Sequence, residues 1–347
     1  MRTYLFASIS LVGVVLLFAF QSAKPGRIEP YKQERLELDP DVSKWSVEDV
    51  LIQLGDQKPQ HYIEKLDADS VRMGEELVYY GRLKDHSNKR VSKYFVCTDC
   101  HNQVLETDDP SDESPARVLD FSKKNKIPFL PGSTFYGMYN KRHWYNGDYA
   151  KKYGDLVKNT RDTLYNAIQL CATQCSQGRE MDFWEIRCVM HYYKNIQLKV
   201  SDLKFSSEEY AQFSNLVTAG SDKAIGMIKG KYNEINDAHF GNSEIPKIPG
   251  YEPNVENGEY IYKAGCMHCH APGRNITNFD LDMDLLSFKF LYAKKDKYNQ
   301  FSISHITRYG TYAVSGRKQY MPQYTYENMS NEQMLDLMKF IETKAAE

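Results

Sequence analysis

The chain has 347 residues, of which 26% are charged, 41% are hydrophobic and 13% are aromatic. Its formal net charge of -2 excludes a globally basic nucleic-acid-binding protein, because no excess of positive charge is present to meet phosphates. The negative mean hydropathy excludes a polytopic membrane protein, and the many aromatic residues provide enough apolar material for a folded core.

The first predicted element is an uncharged apolar run over residues 4–20. It is short for a membrane-spanning helix and long for the apolar region of a signal peptide, and no clear cleavage site follows it. Residues 1–23 are therefore interpreted as a cleaved signal peptide or an N-terminal membrane anchor, with a buried core helix as a third interpretation. The first two place the rest of the chain on the periplasmic side of the inner membrane. Residues 24–44 are polar and contain several prolines, which is typical of a tether.

Helical patterns dominate the next part of the chain, which we interpret as an N-terminal domain over residues 45–240. Predicted helices begin at Ser46 and Ser206, where a serine precedes acidic residues, and lie at 71–80, 151–175 and 180–197. Residues 102–135 are rich in Asp, Ser, Pro and Gly and are predicted to form a long surface loop. That loop begins a long irregular insertion over residues 102–160.

Residues 241–257 are rich in Pro, Gly and Asn and are predicted to be a linker. A C-terminal domain follows over residues 258–347. A helix near 258–265 opens it, and an amphipathic helix over 330–341 with a Ser-x-x-Gln start closes it. Strand signals are few, so the predicted fold class is mainly α.

Two C-x-x-C-H motifs indicate the class of protein: residues 97–101 read Cys-Thr-Asp-Cys-His and residues 266–270 read Cys-Met-His-Cys-His. This is the signature of c-type haem attachment, in which two thiols bind one porphyrin and the histidine binds its iron. A redox dithiol does not need the histidine, and a zinc site needs closely grouped pairs. We therefore predict two covalently bound haem c groups. The attaching thiols are Cys97, Cys100, Cys266 and Cys269, and the iron-binding histidines are His101 and His270.

The C-terminal domain resembles a class I cytochrome c. The segment Tyr320-Met321-Pro322-Gln323-Tyr324 is similar to the axial methionine loop of that family, between a helix that precedes the haem motif and a closing helix. The resemblance implies that Met321 is the second iron ligand, a neutral thioether that raises the haem potential. Met329 and His305 are the alternatives.

The first motif has no such loop. Instead, residues 168–179 resemble the segment I-x-x-C-x-x-x-x-x-x-G-[KR] of thiosulfate dehydrogenases and of the related A-subunit cytochromes of sulfur-oxidising complexes. The resemblance implies that Cys171 is the distal iron ligand, with Gly178 and Arg179 completing the segment. A thiolate ligand stabilises Fe(III) and lowers the haem potential. Cys175, a Met or Lys, or no sixth ligand are the alternatives.

That resemblance implies two class I cytochrome c-like domains in tandem, although the 102–160 insertion departs from the family. It also implies a redox enzyme acting on a small anionic sulfur substrate, thiosulfate or tetrathionate, with Cys171 at the catalytic iron. Electrons would pass to a partner cytochrome or a membrane respiratory complex. The candidate anion-binding residues are Arg142, Arg161 and Arg179, because guanidinium groups suit oxyanions.

A non-catalytic electron-transfer cytochrome, linking a membrane complex to an oxidase or reductase, is the alternative function. A di-haem peroxidase would need a His-rich switching loop at the first haem, which the sequence lacks. His143 and His191 are either acid–base groups or structural histidines.

The seven cysteines include four for haem attachment and Cys171. Cys175 and Cys188 remain, on either side of Gly178, and we predict a disulfide between them.

Overall fold

Short helices joined by irregular segments make up the fold of this protein. It is represented by a computed structural model that describes residues 42–274, 276–277, 279–295, 302–311 and 321–347, all within one unit, Asp41–Glu347. These residues form isolated β-bridges but no strand, which confirms the mainly α prediction. None of the described helices is long and apolar enough to cross a membrane, and the apolar run 4–20 lies outside the described residues.

In chain order the α-helices are α1 (Val47–Gln53), α2 (Ala68–Tyr80), α3 (Pro115–Asn125), α4 (Tyr149–Tyr153), α5 (Leu164–Leu170), α6 (Phe183–Asn195), α7 (Ser207–Thr218), α8 (Lys223–Lys229), α9 (Val255–Ile261), α10 (Met267–His270), α11 (Leu285–Ala293), α12 (Ile303–Tyr309) and α13 (Asn331–Ala345). Two π-helical turns, Cys171–Cys175 and Tyr262–Cys266, continue α5 and α9. Helix starts follow local side-chain chemistry: the hydroxyls of Ser46, Ser206 and Ser330 accept the backbone N–H three residues later, as predicted.

Two helix crossings organise the unit, and each contains a glycine. On α2, a Cβ at Gly74 would lie 2.0 Å from the carbonyl oxygen of Cys188 on α6. On α9, a Cβ at Gly258 would lie 2.0 Å from the carbonyl oxygen of Asp336 on α13. Only glycine permits such a close approach of two backbones. The crossing of the predicted opening and closing helices of the C-terminal domain is therefore present.

Among the described residues, three hydrophobic clusters form the core. The first lies around α2, α5 and α6 and includes Leu77 and Ile186. The second lies around α9, α11 and α13 and includes Phe288 and Phe340. The third is formed by α1, α7 and α8.

The prediction of a long surface loop over residues 102–135 is wrong. This segment contains α3, which starts with Pro115 after Ser114 and buries Leu119 in the second cluster. Phe129 is also buried there. The residues that precede α3 are rich in Asp, Ser and Pro, and this composition made the whole segment resemble a loop although α3 has an apolar face. The 102–160 insertion is thus partly helical and partly core.

The predicted linker contains no helix before Val255, but it is bonded to its surroundings. The carbonyl oxygen of Gly241 accepts the Tyr309 hydroxyl at 2.6 Å, and the Ser304 hydroxyl donates to the carbonyl of Glu244 at 3.0 Å. The segment therefore packs on α12. The domain boundary placed here stays a prediction.

Candidate functional site

The first C-x-x-C-H motif lies on a 3-10 turn, Cys97–Asp99, that the Asp99 carboxylate closes by accepting the Val96 N–H at 2.8 Å. The His101 ring is held from two sides. Its Nδ1 lies 2.7 Å from the carbonyl oxygen of Ser133, and its face stacks on Phe135 with ring centroids 4.3 Å apart. A donated Nδ1–H leaves Nε2 with a lone pair, which is the form that binds a metal.

Gly132 lies directly against that ring. A Cβ at this position would lie 2.4 to 2.8 Å from three atoms of the His101 imidazole. The Gly132 N–H also donates to the carbonyl oxygen of Cys100 at 3.0 Å. The backbone therefore packs directly against the histidine, and any side chain here would displace it.

A cavity of about 190 Å³, the first cavity, opens beside this motif. It is lined mainly by apolar and aromatic side chains, as expected of a cofactor pocket. Its lining includes Cys97, Cys100, His101, Cys171, Cys175 and Tyr193. The structure thus brings the predicted thiols, the histidine and the predicted sulfur ligand together. The π-helical turn Cys171–Cys175 presents both candidate cysteines, and such turns are frequent at functional sites.

The two candidate cysteines are electrostatically different. Cys175 Sγ lies 3.4 Å from the Tyr153 hydroxyl and 3.7 Å from the Tyr145 hydroxyl. A hydrogen bond from the Cys171 thiol lowers the pKa of Cys175; burial opposes this, and the hydrogen bonds from the two tyrosines add to the lowering. The same thiol–thiol bond, together with burial, raises the pKa of Cys171. Which of the two would bind iron stays a prediction, but these surroundings favour a thiolate at Cys175.

The predicted anion-binding arginines do not line the first cavity as it is described. Arg142 forms a bidentate pair with the buried Glu48, with Nη2–O distances of 2.9 and 2.8 Å. Arg179 forms a bidentate pair with Glu185 at 2.7 and 2.6 Å. Arg161 contributes its carbonyl oxygen to the Trp144 N–H at 2.8 Å. Arg142 and Arg179 therefore form ion pairs within the fold. Arg142, Arg161 and Arg179 are all absent from the described lining of the first cavity.

The two candidate histidines, His143 and His191, both contact other residues of the fold. His143 pairs with Asp162 at 2.6 Å on the surface, and His191 accepts the Asp67 N–H at 3.3 Å. The predicted disulfide is not present, since Cys175 and Cys188 are both free. The two lie in different environments: Cys175 lines the cavity, whereas Cys188 is buried in the α2–α6 crossing.

The second motif begins at Cys266, the last residue of the π-helical turn Tyr262–Cys266, and continues through α10. His270 Nδ1 lies 2.7 Å from the carbonyl oxygen of Phe279, which repeats the arrangement at His101. A second cavity of about 580 Å³ lies beside it. Its lining includes Cys266, Cys269, His270, Met321, Leu281 and Tyr324. The predicted thiols, histidine and methionine therefore meet in one pocket, and the residues at each motif fit a covalently attached haem.

The two alternatives to Met321 are placed differently. Met329 also lines the second cavity but is only 1% exposed within the second hydrophobic cluster. His305 is not part of the described lining, and its ring stacks on Tyr309 with centroids 5.0 Å apart. The position of Met321 thus agrees with its predicted role, which stays a prediction.

A buried arginine holds the segment that carries the methionine. Arg308 is fully buried and donates to the carbonyl oxygens of Met329 at 2.5 Å and Ser330 at 3.0 Å. Its guanidinium also lies over the Tyr326 ring, 4.7 Å from the centroid. Because no carboxylate pairs with it among the described residues, burial lowers the pKa of Arg308 to about 10. We call residues 321–330 the axial segment.

The two motifs are in contact. Cys269 Sγ lies 3.8 Å from the carbonyl oxygen of Asp99, which belongs to the first motif. Three residues, Phe95, Pro131 and Pro322, line both cavities. The first and second cavities therefore share walls.

Residues 129–134, which we call the connecting segment, run between the two sites. The N–H of Phe129 donates to the carbonyl of Ala264 at 3.1 Å, and its carbonyl accepts the Tyr324 hydroxyl at 2.8 Å. The carbonyl of Pro131 accepts from the Asn328 side chain at 2.6 Å. At its other end, the segment provides the contacts to His101 given above. One stretch of backbone thus supports both histidine sites and the axial segment.

An exposed apolar patch lies at the mouth of the second cavity. Phe279 and Phe290 line the cavity and are 42% and 47% exposed, and Leu286, on the same helix as Phe290, is 79% exposed. Exposed groups of this size often mark interaction sites.

Sequence reasoning missed several residues of the site. Nothing in the pattern around Arg308, Tyr145 or Tyr153 distinguishes them from other basic or aromatic residues. Gly132 had a weak signal, since it follows a proline within the insertion.

The described residues form a predominantly helical fold in which each C-x-x-C-H motif lies at a cavity. Residues 255–345 match the family model for cytochrome c, so this part of the chain is a cytochrome c domain. The match implies covalently bound haem c and supports a role in electron transfer. No curated protein and no solved structure matches the chain.

Proposed function

We propose that the protein is a di-haem cytochrome c that exchanges electrons with a sulfur oxyanion, thiosulfate or tetrathionate, at the first site and with a redox partner at the second. The observation that carries this proposal is the contact between the two motifs, since cavities that share walls suit electron transfer inside one protein. When bound, the two haems supply one-electron redox chemistry.

Two observations support a tandem arrangement of related domains. A glycine-containing helix crossing accompanies each motif, α2 with α6 and α9 with α13. Each motif histidine donates its Nδ1–H to a backbone carbonyl oxygen 2.7 Å away. These shared features favour a second cytochrome c-like domain outside residues 255–345.

The chain's own residues give the first site its chemical character. The sulfur ligand comes from the Cys171 and Cys175 pair, and the Tyr145 and Tyr153 hydroxyls stabilise negative charge on sulfur there. A thiolate ligand lowers the reduction potential relative to the thioether of Met321. Electrons would therefore flow from the first site towards the second.

The second site suits exchange with a protein partner. The exposed Phe279 and Phe290 line its cavity, and the exposed Leu286 lies on the same helix as Phe290; a partner cytochrome or a membrane respiratory complex would dock on these residues. We place this activity on the periplasmic side of the inner membrane, where the N-terminal run would direct the chain.

The first experiment counts haem groups. Purified protein, C97S/C100S and C266S/C269S are compared by mass and by haem absorbance after alkaline pyridine treatment. Two haems in the parent protein and one in each variant are expected. A single haem in the parent protein, lost only in C266S/C269S, would refute the di-haem proposal.

The second experiment tests the substrate and the ligand. Oxidised protein is mixed anaerobically with thiosulfate, and reduced protein with tetrathionate, while the haem bands are followed. A change in redox state is expected with one or both. C171S and C175S are then examined by electron paramagnetic resonance, and loss of the thiolate signal in one of them identifies the ligand. An unchanged signal in both would exclude the cysteine pair.

One observation favours the second candidate, an electron-transfer cytochrome without a substrate. The predicted anion-binding arginines lie outside the described lining of the first cavity, and two of them are held in ion pairs. No spectral change with either sulfur compound, combined with rapid reduction by a partner cytochrome, would support this candidate instead.

A further inference from the structure

Glu106 is a buried carboxyl group that the proposed function does not use. It lies five residues after His101 and is 9% exposed. Its Oε1 accepts from the Asn102 side-chain amide at 2.7 Å, and its Oε2 accepts the Thr134 N–H at 3.0 Å. Both oxygens therefore act as acceptors in the structure.

These two bonds connect Glu106 to the iron-binding histidine from both sides. Asn102 directly follows His101, and Thr134 directly follows Ser133, whose carbonyl oxygen lies 2.7 Å from His101 Nδ1. Glu106 thus holds the backbone around Asn102 and Thr134, and this backbone in turn holds the His101 imidazole. It is a positioning residue for the first site, since it acts through its neighbours and does not itself touch the ring.

The charged and titratable groups that face Glu106 come from three other segments. Glu113 precedes α3, Lys141 follows Asn140, and Tyr324 belongs to the axial segment. The Lys141 ammonium is bonded to Glu113 at 3.0 Å and to the Asn233 carbonyl at 3.2 Å. It therefore compensates Glu113 more than Glu106.

Burial raises the pKa of Glu106 to about 7, against the opposing effect of its bonds from Asn102 and Thr134. Near neutral pH, a small change in local charge would therefore change the protonation of this group. One such change would be the gain of an electron at the first motif, whose His101 is held through the bonds of Glu106.

We propose that Glu106 takes up a proton when the haem held by Cys97, Cys100 and His101 is reduced. This inference rests on the proposed function. The reduced site carries one more negative charge than the oxidised site, which makes the neighbouring carboxylate less stable. One electron enters from an external one-electron donor, one proton enters from solvent, and the Glu106 carboxylate becomes a carboxylic acid. Reoxidation releases both.

The test is a potentiometric titration of the protein loaded with both haems at several pH values. In the parent protein, the equilibrium constant for reduction at the first site should fall as pH rises through neutrality. The largest fall is tenfold per pH unit, about 59 mV for one electron. E106Q should abolish this dependence. E113Q, which removes the neighbouring carboxylate, should retain it, and the potential of the second site should not change with pH in this range.

A second measurement keeps the proposal testable where E106Q does not fold. The reduced-minus-oxidised infrared spectrum of the parent protein should gain a protonated carboxyl band, and E106D should shift it. If the parent protein carried no haem at the first motif, the proposed function itself would be overturned. Two bound haems with the same pH dependence in E106Q, or with no carboxyl band on reduction, would overturn the role of Glu106 alone.

Discussion

The helix crossing at Gly258 provides the most direct test of the fold. In G258A the new methyl group would lie 2.0 Å from the Asp336 carbonyl oxygen, 2.6 Å from its carbon and 2.8 Å from the Phe340 Cβ. Real Cβ contacts essentially never fall below 3.0 Å, so α9 and α13 must separate by about 1 Å. The Asp336 carboxylate resists this, because it accepts from the Tyr251 hydroxyl at 2.7 Å and the Asn254 N–H at 2.6 Å.

The expected magnitude is the difference between two effects. Overpacking against backbone atoms costs about 3 kcal/mol, the upper end of its usual range. Alanine regains about 1 kcal/mol of helix propensity over glycine. G258A should therefore lower the free energy of unfolding by about 2 kcal/mol, measured by urea denaturation with far-ultraviolet circular dichroism.

A matched control is available on α8. Gly226 is also inside a helix, but a Cβ there would meet nothing within 4 Å. G226A should raise the free energy of unfolding by about 0.5 to 1 kcal/mol. If G258A were as stable as G226A, the close crossing of α9 and α13 would be refuted.

Three further predictions concern the sites. R142M should lower the free energy of unfolding by about 3–5 kcal/mol, since it leaves the Glu48 carboxylate buried and unpaired, and adding E48Q should recover part of the loss. The response of the haem bands to thiosulfate should be unchanged in the double variant, and its loss would show that Arg142 binds substrate. G132A should displace the His101 ring and alter the low-spin paramagnetic resonance of the first site but not of the second, whereas an unchanged spectrum would contradict the contact. R308M should leave the carbonyl of Met329 without a donor, while the carbonyl of Ser330 keeps the Met334 N–H. It should lower the free energy of unfolding by about 3 kcal/mol and weaken methionine ligation, as followed by the visible spectrum of the oxidised protein; an unchanged spectrum in R308M would contradict its role in holding the axial segment.

The sequence predicted those features that depend on a few neighbouring residues. Serine caps at Ser46, Ser206 and Ser330 act over three residues, so the pattern alone places these helix starts. The C-x-x-C-H spacing is equally local. Met321 could be predicted to lie at the second site because the segment around it resembles the axial loop of a known family.

Features that depend on contacts between distant segments were not predictable in this way. Tyr324 donates to the carbonyl of Phe129 across 195 positions of the chain, and no pattern around either residue indicates the bond. The same holds for α3, whose apolar face is recognisable only against the second cluster. Ion pairs explain why Arg142 and Arg179 are not in the cavity: their carboxylate partners are 94 and 6 residues away, and a count of basic residues does not show that they are occupied.

The connecting segment 129–134 has a consequence for how the chain can vary in length. The backbone groups of Phe129 and Pro131 bond to a residue before the second motif and to the axial segment, and those of Gly132 and Ser133 bond to the first motif. Inserting or deleting one residue here would move every later group out of register with its partner. In the polar turn at residues 108–113, as described, one backbone group bonds a distant segment: the Pro110 carbonyl accepts the Asn233 N–H at 3.1 Å. Homologous sequences should therefore gain and lose residues on either side of the connecting segment while its six positions keep a constant length.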